Sequence, residues 1–494
     1  MARRDVVVLG GGISGLSFAY FLRQTLAKTI ANTTRIHVVD ADSVAGGWVR
    51  TAKRDKFLFE EGPRGFRPSR NGAEMLRLVE QLELQDKMQA VDPAAHARYI
   101  LRNCKVEKLP SSMREALRWP LSLAVARAAL RELFVKPSTV QDESVYMFMA
   151  RRFSPLVAER LLDPVASGIF GGDITKLSMR SCFPMLMDLE RDYGSVVKGM
   201  LLGGAKGDDT LLDGTKKSEF VRKHEKAVSV SFTDGMSTLI EALADNIHAD
   251  PMAELQLNTK VTRVVVHGQN KTLLSKGLNF VVESKDPQSG EVREPIKASH
   301  VFSTIPACYL APVVKDSAPG LAEALNEIEY VDMGVVHVGY HEKVLATDGF
   351  GYLIPSAERE KVLGVVFDSN TFPMQNGENQ MQTRLSVMSG GAHFREVASL
   401  PEGELERNAV DALKRHLGIT RKPDYVRAMA LTNGIPQYNV GFSQTLQRIE
   451  KQAARSTPGL FIGGNSFYGI GLADCVTNSK LLALKYAKSV VSSG

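Results

Sequence analysis

The sequence predicts an α/β fold built on a dinucleotide-binding unit, with a mixed α+β part and a mainly helical part inserted into it. Three observations carry this. Residues 5–17 (DVVVLGGGISGLS) pass from a β-branched apolar run through glycines into residues of helical spacing. A second apolar run, residues 35–39, ends on Asp40. Near the far end, residues 459–465 are again a strand running into glycines, and residues 469–471 open a last helix. Both ends of the chain therefore build one site.

In the first unit, Gly10, Gly12 and Gly15 fall on the G-x-G-x-x-G template. The first glycine allows the turn, the second lets backbone approach a pyrophosphate, and the third lets helix pack close to strand. Phosphates would sit at the helix N-terminus, where unpaired N–H groups and the helix dipole favour negative charge. Asp40, about 25 residues past Gly15, stands where an acidic side chain can hold ribose hydroxyls. The glycine pair Gly46-Gly47 and the segment Gly62-Pro63-Arg64-Gly65 follow at a distance that favours a flavin over a nicotinamide cofactor.

The chain then continues in recognisable blocks. From about residue 92 to 204 it reads as largely helical, and residues 121–134 are apolar on nearly every side, with Arg127 and Arg131 as the charged stripe. Such a helix is buried either in protein or in the edge of a bilayer. Trp119-Pro120 supplies its start, and tryptophan is favoured at membrane interfaces. Residues 203–226, polar and glycine-rich, read as a mobile surface loop. Residues 228–230, 260–266, 280–282 and 300–306 read as strands, residues 332–387 alternate strands with turns, and residues 402–417 form a helical pattern. The central block suits a substrate cavity.

Composition bounds the rest. At 494 residues, with 44% hydrophobic and 23% charged residues, the chain is globular and has room for two or three domains. No run of eighteen apolar residues predicts a spanning helix. The net charge of +6 is too mild for nucleic acid. Nine of the basic residues, against three acids, lie between Ala95 and Lys136, as a solvated basic face or a surface for anionic lipid. The four cysteines are far apart, which makes a disulfide framework or a zinc site improbable, and His337 and His341 in VVHVGYH read as structural. No secretory or organellar leader precedes the first strand.

Taken together, VVVLGGGISGL, GGWVRT, EEGPRGFRP, SGIFGGD with LSMRSCFP, STIPA, GFGYLIPS, GIPQY and GIGLADC resemble the protoporphyrinogen oxidase family, oxygen-dependent FAD enzymes within the amine-oxidase-like flavoproteins. The likeness covers almost the whole chain. RSCFP and GPRG are its most diagnostic parts. Trp48 stands where many wider relatives carry arginine, a departure shared with close members of the family.

The resemblance implies a Rossmann-type FAD-binding domain in three parts (residues 1–91, 216–305 and 456–494), a helical membrane-binding domain (92–215) and a mixed α+β substrate domain (306–455). It implies non-covalent FAD contacts from Gly10, Gly11, Gly12, Ile13, Ser14, Gly15, Asp40, Gly47, Trp48, Gly62, Pro63, Arg64, Gly65, Val261, Asn465, Ile470, Gly471 and Leu472. For the substrate, it implies Arg98 on a propionate, Phe350, Leu353 and Met388 about the rings, and a carbonyl from Gly172. Without it, the three apolar residues would read as core and Arg98 as one of the basic segment.

The implied reaction takes hydride from protoporphyrinogen IX to the flavin, with reoxidation by oxygen and release of hydrogen peroxide, three times over. The cofactor carries the difficult step, so no side-chain acid or base is nominated, and no metal site. Peripheral attachment to a membrane, the mitochondrial inner membrane in a eukaryote, and a homodimer are implied as well. Among alternatives, an amine oxidase needs a cage for an amine, and a carotenoid desaturase has no use for Arg98. A coproporphyrinogen oxidase would need a more basic and open pocket. A non-enzymatic prenyl-binding relative is disfavoured by the two phosphate-facing glycine segments.

Overall fold

A computed structural model of the chain describes residues 4–203, 209–266 and 279–492. Its organising sheet has five parallel strands in the order Leu460–Ile462, His300–Ser303, Arg4–Leu9, Thr34–Val39, Ala253–Gln256. The first strand is central and covered on both faces, which is why it reads as a continuous apolar run. Val6 and Val8 point into a core shared with the helices Ile13–Thr25, Ser237–Ala249 and Leu472–Ser492. Val7 and Leu9 point the other way, toward the antiparallel strands Lys260–Val266 and Phe280–Lys285 and the helices Ala307–Val314 and Pro319–Leu325. The strand from the chain's end and the strand from its beginning thus share one sheet.

A second sheet has seven strands in the order Tyr425–Pro436, Tyr330–Tyr340, Thr383–Gly390, Val362–Val366, Gly351–Leu353, Arg98–Arg102, Lys105–Lys108. One face carries Val336, Val387, Val365 and Tyr352, and packs on Leu405, Ala409, Ala412 and Leu413 of the helix Glu402–Leu417. The opposite face turns toward the organising sheet's side of the molecule, where Phe59 stacks on His337 at 4.7 Å between ring centroids. Arg384 ties the two parts together: fully buried, it donates from Nη1 to Leu58 O (2.6 Å) and from Nε to Asn376 Oδ1 (2.9 Å).

Residues 98–108 depart from the helical reading of that stretch, because they form two strands on the edge of the seven-stranded sheet. Strands this short carry too little periodicity of their own, and the first of them is fixed by pairing with the distant segment Gly351–Leu353. From Met113 to Leu202 the described chain is helical. Residues 121–134 are only partly buried in protein: Ala128 lies in a core cluster, whereas Leu123, Leu130 and Phe134 are exposed at 63%, 63% and 86%. Glu132, by contrast, is fully buried, where it pairs with buried Arg152 and accepts from Ser195 Oγ and the Val196 N–H. No helix among the described residues is long and apolar enough to cross a membrane.

The stretch read as a loose loop, residues 203–226, includes residues 204–208, which lie outside the described residues. The remainder is anchored rather than free. Leu211 is buried in the first core, Asp213 meets Lys480 at 2.8 Å, Lys217 meets Glu225 at 2.7 Å, and Glu219–His224 is helical. Polar composition hid these pairings, since buried ion pairs and exposed charges use the same residues.

Candidate functional site

At the end of the first strand the glycines form a backbone cradle. Gly10 has φ +103°, a conformation few side chains adopt. A Cβ on Gly15 would lie 1.9 Å from Gly10 O, so helix and turn touch there without room for any side chain. Gly12 caps the helix and bridges to Gly46, with only Gly46 and Gly47 backbone facing its missing Cβ. Gly62 closes the next turn, its missing Cβ position 1.7 Å from Trp48 O. Ile13, Ser14 and Leu472 bury their side chains. Any contact they make with a cofactor therefore runs through backbone N–H groups at two helix starts, where the dipole favours phosphate.

Asp40 closes the second strand and accepts from Gly11 N (2.5 Å) and Asp42 N (2.8 Å). Burial raises its pKa, and the two N–H groups oppose the rise. Asp40 O accepts from Thr259 N at 2.7 Å, which brings the strand of Val261 alongside. From the far end, Asn465 O accepts from Tyr438 Oη (2.5 Å), and Tyr438 Oη accepts in turn from Gly469 N (2.9 Å), ordering the turn that leads to Ile470 and Gly471. Trp48 is 37% exposed on the rim of the same cradle.

The seven-stranded sheet supplies the second half of the site. Across its strands, Leu353 pairs with Gly364 and Gly364 with Met388, so all three share one face. One row away, Arg98, Gly351, Val366, Ser386 and His337 are register partners in turn, and by the two-residue period they point to that same face. Strands spaced about 4.8 Å apart put Leu353 and Met388 about 10 Å from each other, with side-chain-free Gly364 between them. The result is an apolar slot with a guanidinium at one end. Phe350 is set beside it by Gly349 (φ +122°) and Gly351 (φ +142°), and Arg98 Cζ lies 3.9 Å above the Phe350 ring. Gly172 is buried next to Gly171, whose neighbours include Met333, a member of the same small apolar cluster as Met388.

Arg64 joins the two halves. It leaves the Gly62–Gly65 turn, donates from Nε to Asp368 Oδ1 at 3.1 Å and brings Nη1 to 3.8 Å from Met388 Sδ. Asp368 Oδ2 accepts from Ser386 Oγ (2.7 Å), and Ser386 Oγ meets His337 Nδ1 (3.0 Å). His337 is buried, which drives its pKa down to about 3, so the ring is neutral. Glu60, just ahead of the turn, is pushed up to about 7 by burial, against hydrogen bonds from Met236 N and Thr51 Oγ1.

Asp368, Ser386, Glu60 and Gly364 were not singled out in the sequence, and His337 was read there only as structural. Their grouping depends on strand register, which no local motif records. Only the glycines flanking Phe350 gave a signal that could have been read. His341 stacks on Phe57 at 4.7 Å rather than joining His337, and no cluster of metal-ligating residues occurs among the described residues.

The model of the flavin containing amine oxidoreductase family matches residues 13–483. The bovine (Bos taurus) protoporphyrinogen oxidase is 33% identical over 495 residues, covering 98% of each chain, and the human (Homo sapiens) one is 32% identical, covering 97% of this chain and 98% of that one. A crystal structure from Exiguobacterium sp. 255-15, described as a candidate protoporphyrinogen oxidase, superposes with a TM-score of 0.80 at 21% identity, over 99% of this chain and all of that one. The glycine cradle, the two helix starts and Asp40 fit a flavin dinucleotide, which supplies hydride-accepting chemistry when bound. This protein belongs to the flavin containing amine oxidoreductases, in the protoporphyrinogen oxidase family, and its cofactor is FAD.

Proposed function

We propose that this protein oxidises protoporphyrinogen IX to protoporphyrin IX, the penultimate step of haem synthesis. The observation that carries the reading is the meeting of Arg64, from the cofactor turn, with Met388, from the apolar slot. An apolar, flexible tetrapyrrole with two propionates suits a slot walled by Leu353 and Met388 with one guanidinium, Arg98, at its end. Arg98 would hold a propionate through charge-assisted bonds, with Phe350 flat against its other side. Of the titratable side chains near the slot, His337 is buried and neutral, Asp368 is engaged by Arg64 and Ser386, and Glu60 accepts from Met236 N and Thr51 Oγ1. The protein's part is to bind, orient and exclude water.

The FAD contacts named from the sequence, the five-part domain division and oxygen as final acceptor belong to this proposal. So do pairing of two copies, peripheral attachment to one membrane leaflet and, in a eukaryote, residence at the mitochondrial inner membrane. Attachment is supported by exposed Leu117, Leu123, Leu130, Phe134, Leu201 and Leu202, all within the helical part. Porphyrin fluorescence in air tests the reaction. Rapid growth with protoporphyrinogen and little with coproporphyrinogen supports it, whereas the reverse preference would make the two-carboxylate slot wrong.

A further inference from the structure

Two motifs far apart in the chain, LSMRSCFP and GIPQY, meet at one buried phenol. Tyr438, the last residue of GIPQY, is 3% exposed and stacks on Phe442 at 4.1 Å between ring centroids. Its backbone carbonyl accepts from Ser178 N at 2.8 Å, and Cys182 Sγ lies 3.7 Å from the same oxygen. Its Oη donates to Asn465 O and accepts from Gly469 N, so it spans the turn that leads to the last helix. That turn lies against the glycine cradle. A Cβ on Gly464 would be 2.8 Å from Thr304 O, and Thr304 Oγ1 donates to Leu9 O at 2.8 Å, beside Gly10. Burial holds the phenol pKa well above its ordinary value, so the group keeps the proton that lets it donate and accept at once.

A second link comes from the helical part. Asp142 Oδ1 accepts from Ser178 Oγ at 2.8 Å, and Asp142 Oδ2 accepts from Gly441 N at 3.2 Å. One carboxylate thus steadies both the residue that meets the Tyr438 carbonyl and the end of the segment that carries Tyr438. Cys182 and Ile470 each pack against the helical core and against the core that contains Tyr438. We propose that Tyr438 is a positioning residue for FAD, fixing the turn ahead of the last helix, and that Asp142 acts through it, so that the helical part sets how firmly the cofactor is held. This goes beyond the oxidation proposed above and rests on the cofactor alone, whatever the substrate.

Release of FAD from the holoenzyme on dilution is followed by the rise in flavin fluorescence, and the visible circular dichroism of the bound flavin is recorded beforehand. Tyr438→Phe deletes both hydrogen bonds of the phenol and leaves Asn465 O and Gly469 N unmatched. It should release FAD roughly 10- to 100-fold faster than wild type and alter the flavin's dichroism. Tyr352→Phe removes an equally buried phenol from His416 Nδ1 (2.9 Å), on the sheet face that packs on the helix Glu402–Leu417, and so controls for general loosening. It should match wild type in both readings. Asp142→Ala should speed release several-fold, yet add little in the Tyr438→Phe background, as expected of residues acting in one network. Equal release from Tyr438→Phe and wild type would overturn the proposal, as would the same acceleration in Tyr352→Phe. Effects of Asp142→Ala and Tyr438→Phe that simply multiply would overturn the link to the helical part. If Tyr438→Phe does not fold, Phe442→Leu, which frees the ring but keeps its hydroxyl, takes its place: several-fold faster release supports the proposal and an unchanged rate overturns it. Folded Tyr438→Phe isolated without flavin, where Tyr352→Phe keeps its own, also supports it.

Discussion

Arg64 Nε donates to Asp368 Oδ1 at 3.1 Å, although the two residues are 304 positions apart. This contact fixes the cofactor turn against the slot face. Removing one member of a buried ion pair costs about 3–5 kcal/mol, because the other charge stays behind unpaired. Arg64 keeps some solvent contact, so the lower end applies. Asp368→Asn is expected to lower the thermal midpoint of the FAD-loaded protein and raise KM for protoporphyrinogen. An unchanged midpoint, measured by calorimetry, would remove the pair from the account.

Arg98→Ala leaves a propionate without its cation. A hydrogen bond between charged partners contributes about 1.5–3 kcal/mol, so kcat/KM should fall roughly 10- to 100-fold, mostly through KM. Arg98→Lys should recover only part of this, since a lysine ammonium is a point charge and cannot grip a carboxylate bidentately. Steady-state kinetics on the three proteins separates these outcomes.

Gly62→Ala would place a methyl on the Trp48 carbonyl, and backbone cannot yield as a side chain can. The turn carrying Pro63 and Arg64 must then shift. Purified variant protein should carry less flavin than wild type, read from the ratio of flavin to protein absorbance. Full flavin content would show that this turn does not shape the cofactor site.

Glu60 gives stability a pH dependence of unusual sign. Its folded pKa, about 7, lies above the ordinary 4.5, so between these values the unfolded chain releases a proton that the folded protein keeps. Stability therefore falls as pH rises from 4.5 to 7, by about 3 kcal/mol, and the loss is complete above 7. Glu60→Gln should flatten that slope and raise the melting temperature at pH 8. Parallel profiles for the two proteins would contradict this.

Leu130 and Phe134 stand exposed on the helix Ser122–Glu132 and just beyond it. Replacing both with glutamate should release the protein from anionic vesicles while leaving its melting temperature and its activity on dispersed substrate unchanged. Undiminished flotation would place the membrane contact elsewhere.

The sequence by itself determined the cofactor half of this protein. Tight turns at Gly10 and Gly62 demand glycine locally, an apolar run such as VVVL demands burial on both sides, and Glu402–Leu417 declares its helix by its own period, so these can be read within a few residues. Only tertiary structure decided the rest. Arg98 sits three strands from Met388 because of register between segments hundreds of residues apart, and register depends on which strands meet. Glu132 carries no local mark of burial, yet the fold buries it on Arg152. Phe134 ends a stretch whose apolar faces suited protein or bilayer alike, and the fold leaves it exposed. A side chain's type states what it can do in water or in hydrocarbon; which of the two surrounds it is settled by long-range packing.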